Sequence, residues 1–224
     1  MTNGQPLGSA PIVIGDDVRY SPDDLLLPKQ YHKYIENIII PNGLLMDRVE
    51  KMAYDIRKAY RNRELHCLCL LKGSRSFFSA LFQHLAKLSL YDEEATCPPF
   101  FEHYLRVSSC VGTESTNQLK VVSDDLSCLK GKDVLIVEDI IDTGLTLTEL
   151  QKYLQQFQPN SVRIATLTLK RTTRSNGQTA DFVGFSLPDK WVIGFSFDCN
   201  QMFRDMPHVC TLSDNGKRLL GLKV

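Results

Sequence analysis

The segment Val134-Leu-Ile-Val-Glu138-Asp139-Ile140-Ile141-Asp142-Thr143-Gly144-Leu145-Thr146 joins an apolar run, two adjacent acids and a short polar loop. This pattern predicts a buried strand over residues 133–137, a loop over 138–146 and a helix over 147–157. Backbone N–H groups at the start of a helix bind anions without a charged side chain. Gly144 lets the backbone approach a ligand closely, and the two threonines add hydroxyl donors. The segment therefore predicts a phosphate-binding loop next to an acidic pair.

Strands and helices alternate on both sides of this segment. Apolar runs and helical spacing predict strands over 65–71, 100–107, 161–169 and 191–197, and helices over 44–60 and after 74. Such alternation predicts an α/β fold, in which a mainly parallel, twisted sheet is flanked by helices on both faces. The length of 224 residues is enough for one good hydrophobic core or two small ones.

Charged residues stand where the predicted strands end. They are Lys72 before Gly73, Glu138 and Asp139, Lys170 before Arg171, and Asp198. Ligands of parallel sheets collect at the carboxyl ends of the strands. These positions therefore predict a site for phosphate and metal at one edge of the sheet.

The composition excludes several classes of function. Lys plus Arg and Asp plus Glu both number 26, which argues against nucleic acid as a partner. No apolar run is long enough to span a membrane, and the N-terminus has no secretory signal. The seven cysteines include no C-x-x-C pair, so we expect reduced thiols and a cytoplasmic protein. The five histidines show no ligand spacing, so we expect no zinc site.

Two segments have little apolar pattern. Residues 1 to about 30 are expected to form a loosely organised lead-in. Residues 108–125 are mostly polar and are expected to form a long mobile loop, because loops of this length are usually functional or disordered.

The central segment resembles the signature of the type I phosphoribosyltransferases, in which two acids precede a D-T-G-x-T phosphate loop. The resemblance covers roughly residues 10–220 and extends to the hypoxanthine-guanine branch. It rests on further landmarks in the same order: Ile40-Pro-Asn-Gly43, Leu71-Lys-Gly73, Asp124-Asp-Leu-Ser127, Lys170-Arg-Thr172, Pro188-Asp-Lys190 and Phe203-Arg-Asp205. It implies a core over about 40–200, a small hood formed by the terminal segments, and a homodimer or homotetramer.

The resemblance also implies a reaction. Phosphoribosyl pyrophosphate and Mg²⁺ bind together, and the phosphoribosyl group passes to hypoxanthine or guanine, giving IMP or GMP and pyrophosphate in purine salvage. Residues 138–146 match the phosphoribosyl and 5′-phosphate site, in which Asp142 accepts a proton at N7 of the purine. Glu138 and Asp139 match acids that hold the ribose hydroxyls directly or through metal, and Asp198 matches a metal-linked acid.

The remaining matched residues contact pyrophosphate and base. Arg204 and the Lys72-Gly73 turn match the positions that bind pyrophosphate. In the family this turn often contains a non-proline cis peptide bond. Four residues match the purine site: Lys170, the donor to O6; Lys190, which precedes the ring-stacking position; Trp191, the stacked aromatic; and Val192, whose backbone reads the far edge of the ring.

Alternatives remain open at this point. The strand with its acid pair also resembles a response-regulator receiver domain, and Trp191 taken alone would favour core packing. The lid of the family usually carries Lys-Ser-Tyr, where this chain has Ser108, Ser109 and Cys110. A paralogue that keeps the fold and binds nucleotide but turns over weakly is therefore the alternative function, and a non-enzymatic sensor of phosphoribosyl pyrophosphate is a third.

Overall fold

The computed structural model describes residues 7–90, 98–110, 118–123 and 125–223. Its strands in chain order are β1 Ile12–Val13, β2 Ile35–Ile40, β3 Leu65–Leu71, β4 Phe100–Cys110, β5 Gln118–Val122, β6 Asp133–Ile141, β7 Ser161–Lys170, β8 Phe182–Leu187, β9 Val192–Ile193 and β10 Val209–Leu212. Its α-helices are α1 Asn42–Ala59, α2 Arg75–Leu90, α3 Leu145–Leu154 and α4 Asp214–Leu219.

Seven strands form the main sheet, in the order β1-β8-β7-β6-β3-β4-β5. Every neighbouring pair is parallel except β4 and β5, which are antiparallel. The sequences of the central strands are continuous apolar runs because helices cover both faces of the sheet. In β3, for example, Cys67 and Cys69 face one hydrophobic cluster, while Leu68 and Leu70 face the other.

The helices divide between the two faces of this sheet. Helices α1 and α2 supply one cluster, for instance through Met52 and Phe77, and α3 supplies the other through Leu150 and Leu154. The predicted mainly parallel α/β fold is therefore confirmed. Among the described residues, no helix is long and apolar enough to cross a membrane.

A second, three-stranded sheet has the order β2-β10-β9, and its neighbours are antiparallel. It packs on a separate cluster around Phe203, whose ring contacts Tyr31 and Tyr34 at centroid distances of 4.9 and 5.4 Å. This small sheet joins segments from near both ends of the chain.

The structure corrects the predicted boundaries around the central segment. The loop expected over 138–146 is too long, because β6 continues to Ile141 and keeps pairing with β7 as far as Leu169. Glu138 and Asp139 therefore lie within the last residues of strand β6. Helix α3 ends at Leu154 and is followed by a 3₁₀ turn, Gln155–Phe157, where the sequence predicted helix to 157.

The prediction of a strand over 191–197 is also wrong. Only Val192 and Ile193 form a strand, because the backbone turns at the next residues with positive φ angles at Gly194, Phe195 and Ser196. Strand β8 was missed, and β1 lies in the expected lead-in, where it pairs with β8.

The segment 108–125, which was expected to be a loop, contains strand residues on both sides of its undescribed part. Strand β4 continues to Cys110 and β5 starts at Gln118, so backbone hydrogen bonds between them replace the loop at both ends. Residues 111–117 lie outside the described part of the chain, as do the side chains of Ser108, Ser109 and Cys110. Mobility of this segment stays a prediction.

The order of strands locates the site. The chain runs outward from β3 to β4 on one side and from β6 through β7 to β8 on the other, so the order reverses between β3 and β6. Ligands of doubly wound sheets bind at the carboxyl ends of the strands next to such a reversal.

Candidate active site

The phosphate loop predicted from the sequence lies between β6 and α3, at the reversal. Gly144 precedes the helix with φ 83°, a left-handed conformation, and no side chain caps the first turn of α3. The N–H of Leu145 makes only a long hydrogen bond, of 3.5 Å, to Oγ1 of Thr143, so the start of the helix suits an anion at this position. Leu145 and Thr146 are exposed beside it.

A neighbouring loop holds the phosphate loop in place. The N–H of Asn176 donates to the carbonyl of Thr143 over 2.9 Å. The hydroxyl of Thr148 donates to the Gly144 carbonyl at 3.1 Å. A Cβ on residue 144 would collide with Asn176 and Gln178. Glycine is therefore required here both by its φ angle and by crowding.

The acid pair lies at the end of β6, where both residues are partly buried. Oε2 of Glu138 has no solvent contact and no hydrogen-bond partner among the described residues. Burial raises the pKa of Glu138 well above its usual range, and the adjacent Asp139 adds to this. Burial also raises the pKa of Asp139 to about 6, although its Oδ1 accepts a hydrogen bond from the N–H of Ile140 at 2.8 Å. A buried carboxyl oxygen without a hydrogen-bond partner, such as Oε2 of Glu138, is available to a ligand such as a metal or a sugar hydroxyl.

These raised pKa values predict how stability depends on pH. The folded chain holds protons at about pH 5 that the unfolded chain has released, so stability falls as pH rises through about 6. Glu138→Gln should make this fall shallower. At pH 8, without ligands, it should raise the unfolding midpoint by a few degrees, since about 1 kcal/mol shifts it by roughly 2–4 °C.

Thermal unfolding of wild type and variant at pH 5 and pH 8 measures the effect. The matched control is Glu149→Gln, which removes an acid from an exposed pair with Lys152 and should leave the pH dependence unchanged. An identical pH dependence in the Glu138 variant would contradict the account of the buried pair.

The turn after β3 lies against Asp139. A Cβ on residue 73 would collide with the Asp139 carboxylate, so Gly73 is needed for this close approach. The peptide bond between Leu71 and Lys72 is cis, as the sequence resemblance implied for this turn. Nζ of Lys72 donates to Oε1 of Gln201 at 3.2 Å.

Arg204 lies in the segment that contacts this turn. Its guanidinium donates to the carbonyl of Ser196 at 2.6 Å and pairs with Asp198 at 2.5 Å. Its Nε is buried and has no partner among the described residues. Together, Lys72 and Arg204 place two positive charges beside the turn.

A cavity of about 240 Å³ opens between the phosphate loop and the small sheet. Its lining includes the predicted base-site residues Asp142, Lys170, Trp191 and Val192, together with Asp139, Ile140, Phe197 and Asp198. A larger cavity, of about 510 Å³, shares Asp142, Lys170 and Trp191 and is also lined by Lys190. Trp191 is 48% exposed, so the alternative that it packs in the core is wrong.

Asp142 belongs to a charged cluster that the sequence analysis only partly anticipated. Lys170 donates to its carboxylate at 3.1 Å and Arg174 at 3.0 Å. Asp189 closes the cluster, because it accepts from Arg174 at 3.2 Å and lies 3.8 Å from Lys170. Arg174 and Asp189 were not predicted as site residues. Asp189 stands in the Pro188-Asp-Lys190 landmark, whereas no motif marked Arg174.

The acids predicted as metal ligands are only partly brought together. Asp139 and Asp198 line the same cavity, but in the part of the chain that the structure describes Glu138, Asp139 and Asp198 do not form a three-ligand cluster. Ile141 is buried in the core with 1% exposure, so its side chain cannot contact a ligand. Conversely, two histidines that seemed unrelated in sequence, His66 and His103, lie within 2.8 Å of each other.

Comparison with known proteins defines the class. Residues 38–200 match the family model described as the phosphoribosyl transferase domain. The chain therefore belongs to the phosphoribosyl transferase family, and the receiver-domain alternative is excluded.

Individual relatives are more specific. Over 209 residues the chain is 52% identical to the hypoxanthine-guanine-xanthine phosphoribosyltransferase of Plasmodium falciparum, covering 93% of this chain and 90% of that protein. It is 42% identical over 208 residues to the hypoxanthine-guanine phosphoribosyltransferase of Homo sapiens, covering 92% and 94%. The crystal structure of the hypoxanthine-guanine phosphoribosyltransferase of Schistosoma mansoni in complex with IMP is similar, with a TM-score of 0.78, 30% identity, and coverage of 94% and 99%.

Proposed function

We propose that this chain transfers the phosphoribosyl group from phosphoribosyl pyrophosphate to hypoxanthine or guanine, giving IMP or GMP and pyrophosphate. One observation carries the proposal. The cavity lined by Asp142, Lys170 and Trp191 adjoins the start of α3, so a base and a phosphate would be held by neighbouring segments. The named relatives act in the same class of reaction, and nothing favours the alternative of weak turnover.

In the proposed reaction, the bond between ribose C1 and pyrophosphate breaks, and its electron pair leaves with pyrophosphate. N9 of the purine supplies the electron pair of the new bond to C1, and the proton lost from the ring at N7 passes to Asp142. Positive charge develops on the ribose in between, where the Glu138–Asp139 carboxylates and Asp142 stabilise it. Lys72 and Arg204 offset the charge of the departing pyrophosphate.

The acid pair suits Mg²⁺ as the cofactor. Mg²⁺ prefers oxygen ligands and usually binds through one or two carboxylates plus substrate phosphates. The partnerless Oε2 of Glu138 and the adjacent Asp139 fit this need without a preformed three-acid cluster. When bound, Mg²⁺ would neutralise negative charge on pyrophosphate and favour its departure.

Removal of divalent metal should abolish turnover. We expect a loss of at least about 100-fold with excess chelator, because Lys72 and Arg204 alone cannot neutralise pyrophosphate. Added Mg²⁺ in excess of the chelator should restore the rate. Undiminished turnover in excess chelator would rule out a metal-dependent mechanism.

Base choice tests the substrate class. Nζ of Lys170 is a donor and its side chain is only 9% exposed, so it should favour the O6 acceptor of hypoxanthine and guanine over the amino group of adenine. We expect adenine to react at least about 10³-fold more slowly in kcat/KM, because its amino group and the ammonium group of Lys170 are both donors and form no hydrogen bond with each other. Initial rates with the three bases at saturating phosphoribosyl pyrophosphate measure this.

Lys170→Met should reduce the discrimination against adenine. Lys190→Met is the matched control, since Lys190 lines the neighbouring cavity but donates to the carbonyl of Asp16 at 3.3 Å. The control should retain most of the discrimination. Efficient use of adenine by the wild-type chain would exclude Lys170 as the group that reads O6. Assembly as a homodimer or homotetramer and a cytoplasmic location stay predictions.

A further inference from the structure

Two histidines and a cysteine meet on the main sheet, far from the candidate active site. His66 is the second residue of β3 and His103 lies on β4, while Cys128 belongs to the 3₁₀ turn Ser127–Leu129 that covers the same face. His66 pairs in register with Phe101, so the two histidines are diagonal neighbours on one face. Lys72 follows the other end of β3, about 20 Å away at 3.3 Å per residue.

We propose that His66, His103 and Cys128 bind a transition-metal ion of the zinc class. Their ligand atoms all lie within 4.8 Å of one another. Nδ1 of His66 is 2.8 Å from Nε2 of His103. In a tetrahedral zinc site with Zn–N of about 2.0–2.1 Å and Zn–S of about 2.3 Å, neighbouring ligand atoms stand roughly 3.3–3.6 Å apart. Small side-chain rotations therefore convert the present cluster into a coordination shell.

Glu64 orients the first of these ligands. Its Oε1 lies 2.9 Å from Nε2 of His66 and also pairs with Lys132 at 2.9 Å. A carboxylate at Nε2 holds the ring proton there, which leaves the lone pair of Nδ1 directed toward His103. Metal-binding histidines are commonly fixed in this manner by a carboxylate on the opposite ring nitrogen. The partner of His66 is thus in place before any metal binds.

Ring contacts and burial restrict the movement of His66. It is 5% exposed and stacks on Phe101 at a centroid distance of 4.7 Å. Cys128, in contrast, is exposed, so an ion can enter from solvent on that side. A rigid buried ligand and an accessible thiol together permit binding without opening the core.

The donor set separates this position from the magnesium site proposed above. Two imidazole nitrogens and a thiolate suit zinc, cobalt or nickel, whereas Mg²⁺ prefers oxygen. Binding releases the thiol proton of Cys128 to solvent and requires His103 to carry its own proton on Nδ1. No electrons are transferred, and solvent completes the coordination. The ion would link β3, β4 and the turn at the amino ends of the strands.

Cobalt spectroscopy on the reduced, full-length chain tests the proposal. Co²⁺ is titrated in excess Mg²⁺, which fills carboxylate sites, and thiolate-to-cobalt charge transfer is followed in the near ultraviolet. We expect one equivalent to bind with this band, and Zn²⁺ to displace it. Cys128→Ser should remove the band, and Glu64→Gln should weaken binding by roughly 10- to 100-fold.

His103→Phe should also weaken binding at least tenfold, with His103→Gln as a second variant if the first does not fold. His32→Gln is the matched control, because His32 lies near Asp23 on another part of the surface, and it should bind Co²⁺ like wild type. Absence of the band in wild type, its survival in Cys128→Ser, or unchanged affinity in both His103 variants would overturn the proposal.

Discussion

Asp142→Asn should lower kcat by roughly 10²- to 10⁴-fold, the range by which a positioned acid–base group usually accelerates a reaction. The carboxylate lines the base cavity and accepts hydrogen bonds from Lys170 and Arg174. An amide cannot take up the purine proton, and it replaces half of the acceptor with an NH₂ group that faces two cations. Binding of the nucleotide product should change far less, because the start of α3 and the other residues that line the cavity are unchanged.

Asp189→Asn is the matched control for the charge change. Asp189 belongs to the same cluster, where it accepts from Thr172 at 2.8 Å and from Arg174 at 3.2 Å. It is half-exposed, and such pairs contribute about 1 kcal/mol or less, so this variant should lose no more than about fivefold in rate. Steady-state kinetics and product affinity of both variants distinguish loss of proton transfer from a general effect of removing a charge. Equal losses in the two variants would assign the effect to the cluster and not to proton transfer at Asp142.

The sequence was sufficient to predict the parts of the site that depend on local pattern. An apolar run followed by two acids and a D-T-G-x-T loop defines β6, the phosphate loop and the start of α3 within a few residues. The end of β6 was placed too early because Glu138 and Asp139 interrupt the apolar run. The backbone nevertheless continues to pair with β7. Strand pairing is made by backbone hydrogen bonds, so polar side chains do not have to end it.

Contacts between segments that are distant in the sequence could not be predicted from local sequence patterns. Arg174 reaches Asp142 only because the loop after β7 folds back over the phosphate loop. His66 and His103 are 37 positions apart and meet only because β3 and β4 are parallel neighbours. Their spacing in the sequence matches no metal motif. The sequence analysis therefore could not show that the two histidines lie side by side.

The same distinction between local and distant constraints applies to glycines. Gly144 and Gly177 have nearly equal positive φ angles, 83° and 85°, so alanine would meet the same backbone cost at both positions. That cost is about 1–2 kcal/mol. They differ in surroundings, because a Cβ at 144 would collide with Asn176 and Gln178, whereas a Cβ at 177 has nothing within 4 Å. The pair therefore separates conformational cost from displacement of the phosphate loop.

Gly144→Ala should lower kcat/KM for phosphoribosyl pyrophosphate by roughly 100-fold, since displacement of a bound group by about 1 Å has an effect of that size. Relief of the collision must shift either the start of α3 or the loop that carries Asn176, and both define where a phosphate would lie. Gly177→Ala should lose a comparable amount of stability but keep near-wild-type kinetics. Chemical unfolding and initial rates on the two variants provide the comparison. If both variants lose activity in proportion to their loss of stability, backbone strain alone accounts for the effect, and crowding at the phosphate loop has no separate role.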